Sequence, residues 1–113
     1  MSEWSAEDDK LVTLARSARG RIGASTGAAL RDTTGRTYAS AEVNKMPLTL
    51  TAIELVAGQA IASGSTGVEA VVVVADDVLV TTKDVEIISA IAGSGVPIHV
   101  VDNSGTILRT LYS

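Results

Sequence analysis

Val68-Glu69-Ala70-Val71-Val72-Val73-Val74-Ala75 is an apolar run interrupted only by Glu69. A strand with one wet face alternates apolar and polar residues, so this near-continuous run reads as a central strand covered on both sides. It is far shorter than the roughly 20 residues needed to cross a bilayer. Upstream of it, Pro47 cannot lie inside a helix, and residues 51–62 then read as a helix that stops at Ser63-Gly64. Downstream, residues 82–92 read as another helix, with Thr81 or Thr82 as its cap and Gly93 as its stop. Residues 97–101 form a second buried strand. The turn Asp102-Asn103-Ser104-Gly105 is so short that residues 106–111 must be an antiparallel neighbour.

Towards the N-terminus, residues 26–31 and 36–43 flank Asp32-Thr33-Thr34-Gly35 and predict a hairpin. Before it, Leu11, Leu14, Ala15 and Ala18 recur at helical spacing over residues 5–20, with Ser5 as cap, Glu7, Asp8 and Asp9 in the first turn, and Gly20 as the end. The order is helix, strand, strand, helix, strand, helix, strand, strand. It predicts one α/β domain over residues 1–113, a three-layer α-β-α sandwich on a five-stranded mixed sheet whose last strand is antiparallel. The strand at residues 68–75 should lie at its centre, between the hairpin and residues 97–101.

Composition narrows the function. The chain has 113 residues, 46% of them hydrophobic, enough for a sizeable core of one domain. It has no Phe, only Trp4 as tryptophan, and only Tyr38 and Tyr112 as tyrosines. Platforms for base stacking are therefore scarce, and a net charge of −4 gives no attraction for phosphate backbones, which excludes a nucleic-acid partner. Cysteine is absent, which removes disulfides, thiolate metal sites and cysteine nucleophiles together. Residues 1–10 are polar and acidic, unlike a secretory leader, so a cytoplasmic protein without membrane contact is expected.

Several local sequences, spread over nearly the whole chain, resemble the small cytidine deaminase family, including its blasticidin-type members. Gly27-Ala28-Ala29-Leu30 matches the G-A-A-L that ends the family's first strand. Asp32, Gly35, Arg36 and Tyr38 match its D-G-R turn and aromatic, with two extra residues. The family's N-V-E-N, whose first Asn and Glu hold a ribose, is matched by Glu42-Val43-Asn44-Lys45 with acid and amide exchanged. The resemblance then breaks at the metal. The family carries C-A-E or H-A-E at the start of its second helix and P-C-x-x-C at the next. There, three ligands hold zinc with an open position for water and the Glu shuttles protons. Depending on register, the first ligand and the Glu fall on Thr51 and Ile53, on Ala52 and Glu54, or on Ile53 and Leu55, and no register supplies a ligand. The second motif falls near Thr82-Lys83-Asp84-Val85-Glu86, with Lys83 and Glu86 where the cysteines would stand.

The resemblance therefore implies a zinc-less member with no catalytic residues, no metal and no cofactor. Ligand-binding candidates are Glu42, Asn44, Thr51, Glu54 and Thr82, around a cleft between Asn44, Thr51 and Thr82. The alternative is a nucleoside deaminase-type hydrolase with an unorthodox site that draws on Glu42, Glu54, Asp76 or Asp77. Family relatives are commonly dimers or tetramers, and Ala57, Gly58, Ala60, Ile61 and Ala62 make the second helix small and apolar on several sides. A homo-oligomer that binds a small, nucleoside-like molecule or acts as a scaffold is the expected state. Thr51-Ala52-Ile53-Glu54 has the spacing of a capping box, His99 reads as structural, Asp76-Asp77 as a solvated strand end, and Gly93-Ser94-Gly95 as a turn.

Overall fold

The valine run does form the middle of a sheet. In the computed structural model, which describes residues 4–77 and 80–113, β5 spans Val68–Ala75 and is buried at every residue except Glu69. Its neighbours are β1 (Thr26–Asp32), antiparallel, and β6 (Pro97–Val101), parallel, so that Val72 lies between Ala29 and His99. The hairpin partner β2 (Thr37–Ala41) and the C-terminal β7 (Ile107–Tyr112) complete a sheet ordered β2-β1-β5-β6-β7.

Alternation on the strands divides the core in two. Ala29, Ala70, Val72, Val74 and Val101 meet Leu11, Val12 and Ala15 of α1 (Ala6–Ile22). On the opposite face Leu30, Val71, Val73, Ile98 and Val100 meet Ile53 and Val56 of α2 (Ala52–Ala62) and Ile88 of α3 (Thr82–Ala92). This is the expected helix–sheet–helix layering, with one helix above the sheet and two below.

Strands β1 and β7 shift by a single residue from the sequence reading, and the larger differences, at α1 and β2, have local reasons. α1 runs through Gly20 and ends at Gly23, which takes a left-handed φ of 66°. An interior glycine costs a helix only about 1 kcal/mol, too little to stop one held by packing. β2 begins and ends inside the expected 36–43, because Val43 leaves the sheet to start a second hairpin. In it β3 (Val43–Lys45) pairs with β4 (Leu48–Leu50) around Met46-Pro47. Strands of three residues are too short for alternation to reveal.

The turn after β1 is held by one buried carboxylate. Asp32 Oδ1 accepts from the amides of Thr34 and Arg36 and from the Thr34 hydroxyl, and Oδ2 accepts from the Ser65 hydroxyl. Led by the Ser65 and Thr34 hydroxyls, these bonds hold the Asp32 carboxyl down to about 2. An unfolded aspartate titrates near pH 4, so the stabilisation is complete above about pH 4 and is lost as pH falls towards 2. Urea midpoints taken across that window should fall more steeply for the wild type than for Asp32→Asn, which cannot titrate. Parallel pH profiles would show that Asp32 is not the group responsible.

Candidate functional site

Below the sheet, the N-terminal turns of α2 and α3 lie against each other, and each begins with a reciprocal cap. Thr51 Oγ1 accepts from the Glu54 amide at 3.0 Å, and Glu54 Oε1 accepts from the Thr51 amide at 2.8 Å. Thr81 Oγ1 accepts from the Asp84 amide at 3.1 Å, and Asp84 Oδ2 accepts from the Thr81 amide at 3.3 Å. In both cases a side chain satisfies amides that the first helical turn leaves without partners.

The two caps are then joined. The Thr51 hydroxyl donates to Asp84 Oδ1 at 2.8 Å, from α2 to α3, and Lys83 Nζ returns the link to Glu54 Oε2 at 2.9 Å. The inner half of this cross-link is buried, with Asp84 at 2% exposure, while Lys83 reaches it from solvent. The Thr51 amide and the Lys83 ammonium both favour the charged form of Glu54 and hold its carboxyl below the usual glutamate range. Glu54 in turn pushes Lys83 up. An ion pair that is open to water on one side contributes little, about 0.2–1 kcal/mol. The buried Thr51–Asp84 bond is the stronger part of the junction.

These residues do not fit a tetrahedral zinc ion. Such an ion needs deprotonated sulfur, imidazole or carboxylate donors at roughly 2.0–2.3 Å. The Thr51 hydroxyl and both Asp84 oxygens are already committed to each other and to helix amides, and Lys83 brings a cation to the same spot. His99 is on β6, buried on the α1 side, with Nδ1 on the Thr110 hydroxyl and its ring edge-on to Trp4 at 5.1 Å. Among the described residues no three His, Asp or Glu side chains gather as ligands. A proton shuttle works best with a pKa near the working pH, which the lowered Glu54 does not have.

The candidates separate into two groups. Thr51 and Glu54 belong to the cross-link. Thr82 is the first residue of α3, exposed, and Thr81 is the one that caps. Glu42 and Asn44 instead share a hollow of about 230 Å³ with Ile22, Gly23, Ala24 and Ser25 at the end of α1. Glu42 Oε1 accepts from the Thr26 amide there at 2.9 Å. A second hollow of about 300 Å³ adjoins it, lined by Arg21, Ala39, Ala41, Glu42 and Gln59 among others. Neither Thr51 nor Thr82 lines either hollow. Asp76, at the end of β5, pairs with Arg19 at 2.8 Å. The residue that sequence reading missed is Asp84. Its signal was the Thr-x-x-Asp spacing from Thr81, the same pattern that exposed the Thr51 cap.

A family model described as cytidine deaminase-like matches residues 4–105. Among solved structures, the chain is similar to the crystal structure of cytidine deaminase from Mycobacterium leprae, with a TM-score of 0.70 and 19% identity over 96% of this chain and 94% of that one. At that identity the likeness is one of fold. No curated protein matches the sequence.

Proposed function

This chain belongs to the cytidine deaminase-like family, and we propose from that premise that it is a member without the zinc-dependent reaction. In this reading, residues 1–113 form one domain that self-associates and serves as a small-ligand-binding protein or a scaffold. The observation that carries the reading is the α2–α3 cross-link. In the family the resemblance points to, the first turns of these two helices bring zinc ligands and a proton-shuttling glutamate together. Here the same two turns bring Thr51, Glu54, Lys83 and Asp84 together, and every one of them is bonded to another. A water molecule could gain neither a Lewis acid nor a proton acceptor of suitable pKa from that set.

Ligand binding belongs at the Glu42 and Asn44 hollows, where acid and amide side chains border open space. The test is an ammonia-release assay over cytidine, deoxycytidine and related nucleosides, with metal analysis of the same protein. The expected result is no ammonia above the enzyme-free control and less than a tenth of a zinc per chain. Stoichiometric zinc together with turnover of cytidine to uridine would overturn the reading.

A further inference from the structure

Glu42 borders both hollows at the end of α1, and the chain itself uses only one of its carboxylate oxygens. Oε1 accepts from the Thr26 amide at 2.9 Å, while Oε2 has no bond among the described residues. The larger hollow, of about 300 Å³, is also lined by Arg21, in the last turn of α1. The other α1 arginines are engaged within the fold. Arg16 donates to the Asn103 carbonyl, and Arg19 donates to the Ala24 carbonyl and pairs with Asp76. Among the described residues Arg21 has no such partner. A guanidinium and a carboxylate oxygen therefore line one hollow without pairing with each other.

The two hollows differ in the charge they favour. The smaller one, of about 230 Å³, lies at the C-terminal end of α1, where Ile22 and Gly23 border it together with Glu42 and Asn44. A helix C-terminus carries the negative end of the dipole, so this hollow suits an ammonium. The larger one holds Arg21, whose planar fork of donors matches a carboxylate bidentately, and Gln59 supplies a further amide. The remaining wall is largely aliphatic, with Ala39, Ala41 and Val43.

We propose that these adjoining hollows bind a free amino acid, with its carboxylate on Arg21, its ammonium on Glu42 Oε2 and its carbon skeleton against Ala39, Ala41 and Val43. The inference rests on the ligand-binding part of the functional reading and names the class of ligand. A zwitterion answers both charges at once and brings no net charge to the protein. A simple carboxylate leaves Glu42 unanswered, and a simple amine leaves Arg21 unanswered. A neutral nucleoside offers neither charge, so its hydroxyls would compete with water for groups that water already solvates well. Size agrees with this choice. Small-molecule sites run from roughly 300 to 1,000 Å³, and these hollows stand at the small end of that range.

Calorimetric titration near neutral pH tests this, with valine, γ-aminobutyrate, isovalerate, isobutylamine and cytidine as probes. At least one of the two zwitterions should bind with a dissociation constant below about 1 mM. Isovalerate and isobutylamine, which each lack one of the charges, should bind at least about tenfold more weakly. The α- and ω-amino arms report how far apart the two charges stand in the bound molecule. Arg21→Gln should abolish the preference for the zwitterion over isobutylamine. Glu42→Gln, whose amide oxygen can still accept from the Thr26 amide, should abolish the preference over isovalerate. Circular dichroism checks that both variants fold. The proposal fails if neither zwitterion binds, if the singly charged analogues bind as well as the zwitterions, or if cytidine binds more tightly than both. Cytidine bound without ammonia release would overturn this inference and leave the non-catalytic reading intact, whereas ammonia release would overturn that reading.

Discussion

Asp84→Ala is expected to destabilise the protein by about 2 kcal/mol, far more than loss of the nearby Lys83 charge. The carboxylate is 2% exposed and accepts two bonds, from the Thr51 hydroxyl and the Thr81 amide. Alanine leaves the half-buried Thr51 hydroxyl and the Thr81 amide without that acceptor, while Thr81 still caps α3. Loss of an acceptor from part-buried donors costs about 1–2 kcal/mol, towards the low end of the range for buried ones. Lys83→Ala removes only an ion pair whose cation is 74% exposed and screened by water, and should leave the urea midpoint nearly unchanged. Urea unfolding of the two variants gives the comparison directly. Equal effects would mean that the junction is held by its surface charges. A cycle with Thr51→Val should show coupling of about 1 kcal/mol, since the hydroxyl and the carboxylate act as one bond.

That junction also marks where sequence reading stopped. The Thr51 cap was legible because its two partners are three residues apart, and a local pattern can be recognised locally. The bond from Thr51 to Asp84 spans 33 residues and exists only because the sheet packs α2 beside α3. No periodicity encodes it. The central strand was legible because Val71 to Ala75 must be dry on both faces. His99 was legible as a structural residue of a buried strand, but its ring partner was not, since Trp4 lies 95 positions earlier and arrives from another part of the chain. Glu42 and Asn44 border one hollow together, whereas Thr51 and Thr82, expected to share a cleft with Asn44, border neither hollow. The order of the strands was legible because burial pattern and connection length constrain it, whereas side-chain bonds between packed helices were not.

Gly27→Val should be the most damaging single change above the sheet, costing about 4 kcal/mol and bringing many preparations near the limit of a marginal stability of 5–15 kcal/mol. Gly27 is the buried first position of the Gly27-Ala28-Ala29-Leu30 stretch, and α1 crosses it with no room for a side chain. A Cβ there would overlap the Ala15 carbonyl oxygen and fall 2.8 Å from Arg19 Cβ. The carbonyl belongs to helical backbone and cannot rotate away, so α1 itself must lift. Lifting it would loosen Leu11, Val12 and Ala15 from Val72 and Val74, and would draw Arg19 away from Asp76. Gly20 supplies the internal control. It lies within the same helix, and a Cβ there meets nothing within 4 Å. Gly20→Ala should therefore raise stability by about 0.5–1 kcal/mol through helix propensity alone. If both alanine and valine at position 27 were tolerated as well as alanine at position 20, α1 would have to sit further from β1 than the packing described here allows.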